Sequence, residues 1–455
     1  MMKTIFLIVP TVQKIDSLLR AEMLEALRTN AKIIIVSPLE KEFFLHETQK
    51  NNVFFEQLKH LKFGFIRKNF LRLREVVLKI DTPRLEKEMA IMKTVMAMRL
   101  ASNKNFKNTA LKFLRYCLKP AMKNIKNFFD KSEEIIFYDG EYQKILKKYE
   151  PQAIVVGTLG GDRYDIPWMA IGRANRTQIF VADLPWNYLD NRLFSYPREM
   201  TKIFVWNGWW KEILQKEYLV GLDGISAVGS ARYDRLMGQF NFEGKAEFFL
   251  KNCLDRQKKL ITFAIGAEEW HPFQLEVIEF ILEAIKTKQI AFPSQLLVRI
   301  GPKQKNIKKY YDLKKKYENF FVEESERKPE QSYVWNLLHS SDVIVTIFSS
   351  LALDAALMDK PMIYIGFTAQ KKHRFNEILK KIFDFETIKQ ALDTGGVDVT
   401  FDENDFIKKL NLALQNPGMS SDGRKRLITK FLGETAGPAG KKIAEDILQS
   451  IEKSS

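Results

Sequence analysis

The sequence predicts an α/β fold of two Rossmann-like domains facing across a cleft, with a basic helical insert in the first. Two observations predict it. Short continuous runs of Ile, Val, Leu and Phe recur along the chain with helix-forming stretches between them, as in parallel strands covered on both faces. The series breaks once near residues 56–132 and starts afresh after about residue 236. At 455 residues, 45% apolar and 28% charged, the chain is long enough for two cores.

Thr4–Val9 reads as the first strand, Asp16–Leu27 as a helix with Asp16 at its N-cap, and Lys32–Ser37 as a second strand. The opening apolar run, Ile5–Val9, is too short for a leader and no small-residue cleavage site follows it. Strands resume at Ala153–Val156, Gln178–Val181, Lys202–Val205 and Ile225–Val228, closing a first domain over residues 1–235. A helical connector over residues 242–259 leads to a second domain, residues 236–440. Its strands are Leu260–Ile265, Gln295–Ile300, Phe320–Val322, Val343–Thr346 and Met362–Ile365. Residues 441–455 read as a closing helix. Tandem doubly wound sheets place ligands beyond the carboxyl ends of their strands, so the loops there are where chemistry is expected.

The charge is uneven. Of the net +16, residues 1–150 supply +12, with 29 Lys/Arg against 17 Asp/Glu. An anionic partner is expected on that face, and no recognition-helix, RNP-type or zinc-finger pattern makes it a nucleic acid. Within the insert, Leu111, Leu114, Leu118, Met122, Ile125 and Phe129 recur at steps of three and four, with Lys112, Arg115, Lys119, Lys123 and Lys126 beside them. This is the layout of an amphipathic helix at an anionic membrane surface, and equally of a helix covering its own domain. Pro120 would kink or divide it. No run of 18 apolar residues is present. Two cysteines and five scattered histidines offer neither a disulfide framework nor a metal-ligand pair. The expected setting is cytoplasmic, peripheral on the inner face of the membrane if the insert touches it.

The stretch His339–Phe367 is the most informative. The strand Val343–Thr346 runs into the turn Phe348–Ser349–Ser350, then a helix over residues 351–358, then Lys360–Pro361 and another strand. Ser349 and Ser350 offer hydroxyls and backbone N–H groups to a phosphate, and Asp354 a carboxylate to a ribose hydroxyl. An N-cap and a first-turn charge would explain the same residues. Elsewhere, Gly157-Thr158-Leu159-Gly160-Gly161-Asp162-Arg163 follows a strand. Its glycines, Gly160 and Gly161 among them, allow close backbone approach to a ligand. No Gly-Lys-Ser/Thr follows, which argues against a nucleotide triphosphatase. Asp162 is the candidate general base for an acceptor hydroxyl, or simply a helix cap.

The order of strand, Ser-Ser turn, acidic helix, Lys-Pro and strand resembles the donor-binding segment of GT-B glycosyltransferases. The resemblance is nearest to the branch with bacterial surface-polysaccharide glycosyltransferases and teichoic-acid CDP-glycerol glycerophosphotransferases. Leu184-Pro185-Trp186-Asn187-Tyr188-Leu189 is similar to that branch's Ser-Trp-Asp-Asn-Leu element. Val205-Trp206-Asn207-Gly208 is similar to its Val-Trp-Asn-Glu, and Val228-Gly229-Ser230-Ala231-Arg232-Tyr233-Asp234 to its Gly-Ser-Pro-Arg-Phe-Asp turn. The resemblance implies a nucleotide-diphosphate sugar as donor substrate, no further cofactor and no metal. It also implies a glycan or lipid-linked acceptor in bacterial polysaccharide biosynthesis, with Trp186 and Asn187 on the acceptor side. One departure stands out. Where relatives carry Val-Arg-x-His-Pro, this chain has Val298-Arg299-Ile300-Gly301-Pro302, leaving Arg299 as the nearest cation for the donor phosphates. In the loop Gly266–Pro272, His271 is expected near the diphosphate and Glu268 or Glu269 near a sugar hydroxyl. The rivals are a sugar-nucleotide 2-epimerase of the same fold, a CDP-alcohol phosphotransferase of teichoic-acid type, and a non-enzymatic binder of anionic surfaces.

Overall fold

In the computed structural model the described residues are the whole chain except 1, 21, 60–62, 81–121, 183, 185, 187–199, 219–220, 239, 269, 301–303, 305–306, 324–330, 371–372, 434–437 and 454–455. They form two compact units. One comprises described residues up to Phe240 with the segment from Leu432 onward; the other is Asn241–Phe431.

The first unit is built on a seven-stranded sheet. Its strands are β1 (Lys3–Ile8), β2 (Ala31–Ser37), β3 (Val53–Gln57), β4 (Ala153–Val156), β5 (Gln178–Val181), β6 (Lys202–Val205) and β7 (Ile225–Ala227). Their order is β3-β2-β1-β4-β5-β6-β7, and every pairing is parallel. β1 is central because Ile5–Ile8 is apolar on both sides, and all four residues are fully buried. It pairs Lys3 with Ala31 on one edge and Ile5 with Ala153 on the other.

The second unit repeats the scheme with β8 (Lys259–Ala264), β9 (Ser294–Arg299), β10 (Phe320–Val322), β11 (Val343–Thr346), β12 (Met362–Ile365) and β13 (Asp398–Thr400). The order is β10-β9-β8-β11-β12-β13, again all parallel. Each sheet reverses its strand order once, at β1/β4 and at β8/β11. Such switch points open a crevice beyond the carboxyl ends of the strands.

Three local expectations are corrected. The single helix expected over Asp16–Leu27 is two, Val12–Leu18 and Glu22–Arg28, with Asp16 inside the first instead of at its cap. The connector helix is short, Lys245–Lys251. β3 and β13 are strands where the sequence predicts none: β3 lies where the basic stretch begins, and β13 is only three residues long.

The C-terminal helix Ala439–Lys453 returns to the first unit. Its Ile443, Ala444, Ile447 and Ile451 join the core cluster containing β1, β2 and the helix Glu22–Arg28. Each buried isoleucine stabilises by at most about 1.5–3 kcal/mol.

Two helices of the insert are described in part, Phe65–Ile80 and Met122–Ile136. Phe70 packs on Phe129 and Phe137 between them. Arg74 and Arg173 both donate to the buried carboxylate of Glu133, at 2.8 and 2.7 Å, tying the pair to the helix Asp165–Ala174. Lys112, Arg115 and Lys119 lie outside the described residues, as do the side chains of Lys123 and Lys126 on the second helix. No helix among the described residues is long and apolar enough to cross a membrane.

Candidate functional site

In the first unit the chain leaves β4 through Gly157 and reaches the helix Asp165–Ala174 eight residues later. Gly160 takes φ +78°, which lets the loop reverse. Gly157 has a steric role: a Cβ there would stand 2.8 Å from Cε of Lys14, whose amine donates to the Gly157 carbonyl at 3.4 Å. Lys14 comes from the helix after β1, so the loop sits at the β1/β4 switch point.

Asp162, the expected base, is half-buried. Its Oδ1 accepts the N–H of Tyr164 at 3.0 Å, and its own N–H donates to Oγ1 of Thr158 at 3.0 Å. Behind it lies a carboxyl that sequence reasoning passed over. Asp165 is fully buried, and its Oδ2 accepts both the N–H (2.9 Å) and the O–H (2.5 Å) of Thr158. Burial first, and the neighbouring charge of Asp162 second, hold this carboxyl well above the usual carboxylate range. In sequence it looks like any first-turn acid; the available signal was Thr158 seven residues before it, across a glycine-rich turn. Trp186 is buried inside this unit, and Asn187 lies outside the described residues.

In the second unit the β8 and β11 ends are stitched together. Thr346 Oγ1 donates to the Ala264 carbonyl at 2.7 Å. Gly266 lies so close to Ile347 that a Cβ would overlap its side chain at 2.2 Å. Gln274, another residue the sequence did not flag, clamps the loop. Its side-chain oxygen accepts the Gly266 N–H, and its amide donates to the carbonyls of Gly266 and His271. Trp270 then sets its edge against Phe348 (5.3 Å), joining this loop to the turn after β11. In that turn Ser349 Oγ accepts the Leu351 N–H at 3.3 Å, and the Tyr364 hydroxyl donates to the Ser349 carbonyl at 2.8 Å. Ser349 and Ser350 are both partly exposed, with Ser350 preceding the helix Leu351–Leu357. Arg299 ends β9 next to Ala264 of β8, and its Nε is buried without a hydrogen-bond partner among the described residues.

Two expected contacts are corrected. His271 is fully buried and bonds through Nε2 to the Phe367 carbonyl at 2.9 Å, so it does not face a diphosphate. Burial pushes it down to about 4, which keeps it neutral near pH 7. Asp354 is fully buried too. It accepts Nε1 of Trp335 at 2.8 Å and Nε2 of Gln331 at 3.3 Å, which turns it away from any ribose. Glu268 remains half-exposed but is engaged by Lys309 (2.6 Å) and Gln304 (2.9 Å); Glu269 lies outside the described residues. No group of three His, Cys, Asp or Glu among the described residues is placed to hold a metal.

Two parallel Rossmann-like sheets, each reversing its strand order once, define a GT-B fold, and the sequence family makes the chain a transferase. The chain belongs to the CDP-glycerol:poly(glycerophosphate) glycerophosphotransferase family, whose sequence model matches residues 181–449, more than half of its length. Solved structures agree on the fold. A putative UDP-N-acetylglucosamine 2-epimerase from Listeria monocytogenes is 14% identical with a TM-score of 0.55, over 100% of this chain and 97% of that one. The UDP-GlcNAc 2-epimerase from Methanocaldococcus jannaschii gives 14% and 0.55, covering 98% and 99%. The wall teichoic acid polymerase TagF, soaked with CDPG, gives 12% and 0.52, covering 99% and 89%. No curated protein matches the sequence.

Proposed function

We propose that this transferase moves a sugar from a nucleotide-diphosphate donor to a cell-surface glycan or lipid-linked acceptor. The observation that carries the reading is the turn Phe348–Ser350, braced at the β8/β11 switch point by Trp270 and Tyr364, with Arg299 one strand away on β9. The serine hydroxyls and the Arg299 guanidinium hold the donor diphosphate and offset its charge as it leaves. The acceptor oxygen attacks the anomeric carbon, the bond from that carbon to the diphosphate oxygen breaks, and the nucleoside diphosphate departs with the electron pair. Asp162 accepts the proton of the acceptor hydroxyl. Neither a metal nor a further cofactor enters the scheme.

Family membership favours a second reading, transfer of glycerophosphate from CDP-glycerol. There the acceptor attacks phosphorus and the P–O–P bridge breaks, so the leaving group is a nucleoside monophosphate. Gly301 in place of a histidine, and the burial of His271, favour the sugar. One experiment separates them. The protein is incubated with lipid-linked and polymeric acceptors and UDP-, GDP-, CMP- and CDP-activated donors, CDP-glycerol included, and the released nucleotide is identified. A nucleoside diphosphate from a UDP-, GDP- or CDP-sugar supports glycosyl transfer, CMP from CDP-glycerol supports phosphoglycerol transfer, and CMP from a CMP-sugar alone, or no turnover with any donor, refutes both.

The acceptor is proposed to be met at an anionic membrane surface on the cytoplasmic side. Helix Phe65–Ile80 exposes Phe65, Ile66 and Leu73 with Lys68 and Arg72 alongside. Helix Met122–Ile136 and the residues just after it expose Phe128, Lys131, Ile135 and Tyr138, spaced as one helical face. Co-sedimentation with vesicles containing phosphatidylglycerol, absent with neutral vesicles and lost in a Phe65→Ser/Phe128→Ser variant, is the expected result. Equal binding to both vesicle types would refute it.

A further inference from the structure

We infer that Asp165 is a positioning residue for proton acceptance at Asp162, acting through Thr158. The inference rests on the assignment of Asp162 as the acceptor-side base.

The geometry is a relay of two hydrogen bonds through one hydroxyl. Thr158 gives its only hydroxyl proton to Oδ2 of Asp165 at 2.5 Å. Its oxygen is thereby oriented to receive the backbone N–H of Asp162 at 3.0 Å. A second bond, from the Thr158 N–H to the same Oδ2 at 2.9 Å, stops the threonine from turning. The anchor is firm because Asp165 is fully buried at the head of the helix Asp165–Ala174, and Thr158 is itself 5% exposed. The carried residue is the accessible one: Asp162 is half-buried, between the exposed Gly161 and Arg163. Lys14 closes the other side of the loop by lying across Gly157. The backbone that aims Asp162 is thus fixed from a point that no acceptor reaches. A base displaced by about 1 Å costs up to roughly 100-fold in rate with substrate binding little changed.

The relay makes separate demands on each residue. Thr158 must supply a hydroxyl, which serine also has and valine lacks. Residue 165 must supply an acceptor to Thr158, which asparagine provides and alanine does not. A residue that merely supports the fold would not sort its substitutions this way between kcat and KM.

The test is steady-state kinetics of the full chain, with whichever donor of the panel above is turned over, for Asp162→Asn, Thr158→Val, Thr158→Ser, Asp165→Ala and Asp165→Asn. Thermal melts of each variant accompany the kinetics. Expected are a loss of 100-fold or more in kcat for Asp162→Asn, and about tenfold or more for Thr158→Val and Asp165→Ala with donor KM unchanged. Thr158→Ser and Asp165→Asn return kcat to within about threefold of the native protein. Should Asp165→Ala fail to fold, the Thr158→Val and Thr158→Ser pair decides alone. A large loss in Asp162→Asn with native kcat in Thr158→Val overturns the positioning role and leaves the base assignment standing. Native kcat in Asp162→Asn, or no turnover by the native chain, overturns the base assignment and the inference with it.

Discussion

The carboxylate of Asp234 accepts the backbone N–H of Gly440 at 2.7 Å, with Ala439 donating to its other oxygen at 2.8 Å. The two residues lie 206 positions apart. Asp234 ends the Gly229–Asp234 segment that resembles the family's Gly-Ser-Pro-Arg-Phe-Asp turn, and it caps the helix that closes the first unit. The aspartate of that turn therefore has a structural role here: it satisfies two N–H groups that the helix start would otherwise leave bare.

Asp234→Ala should therefore loosen one helix before the whole fold. Two N–H donors lose a buried acceptor, at roughly 1–2 kcal/mol each. Hydrogen exchange at Ile443, Ile447 and Ile451 should quicken by an order of magnitude or more, while β8–β11 keep native protection. Uniform acceleration across both units would contradict the assignment.

A second prediction concerns acid. His271 has its folded-state value pushed down to about 4 by burial, against an ordinary 6.5. The unfolded chain binds this proton first, so the stability the neutral ring contributes is complete above about pH 6.5 and is lost as pH falls toward 4. The linkage amounts to at most about 3–4 kcal/mol. Urea midpoints of the native protein should fall over that window, and His271→Leu should flatten the slope at a cost of about 1–2 kcal/mol at pH 7.5. An unchanged slope in the variant would show that the ring is protonated or solvated in the fold.

Glu133 gives a third. It is buried between Arg74 and Arg173, and its removal would leave two guanidinium groups in a dry environment. Glu133→Ala should destabilise by about 3–5 kcal/mol. Its neighbour Glu134 is 42% exposed and 3.9 Å from Arg173, so Glu134→Ala should change stability by under about 1 kcal/mol. Chemical denaturation of the two variants side by side makes the comparison.

These residues also mark how far the sequence could be read. The strands of both sheets were legible wherever Ile, Val and Leu ran unbroken, since burial on both faces leaves no other composition open. β13 escaped because Asp398-Val399-Thr400 is three residues with one apolar among them. At the sites, the loops were legible and the side-chain directions were not. Glycines announced the turn after β4, yet nothing in the letters told Asp162 at the surface from Asp165 beneath it. His271 and Asp354 were found in functional-looking places, but hydrogen bonds from distant elements, at Phe367 and Trp335, turn them inward. Direction of that kind is set by tertiary partners that no local spacing encodes.

The last prediction exploits that difference between Asp354 and its neighbours. Arg299, Ser349 and Ser350 are partly accessible and carry little of the fold, whereas Asp354 satisfies the buried indole N–H of Trp335 at 2.8 Å. Arg299→Ala should weaken binding of the donor nucleotide by roughly 10–100-fold, the worth of one charge-assisted contact, without moving the melting temperature by more than a degree or two. Ser349→Ala and Ser350→Ala should each weaken it by about 3–10-fold, the worth of a neutral hydrogen bond. Asp354→Ala should do the opposite: it strands a buried donor and opens a cavity, at about 2–4 kcal/mol of stability, while the folded fraction binds nucleotide with near-native affinity. Calorimetric titration with UDP, GDP, CMP and CDP, paired with thermal melts of the same samples, reads both quantities at once. Loss of affinity in Asp354→Ala with an unchanged melt would return that carboxylate to the donor site.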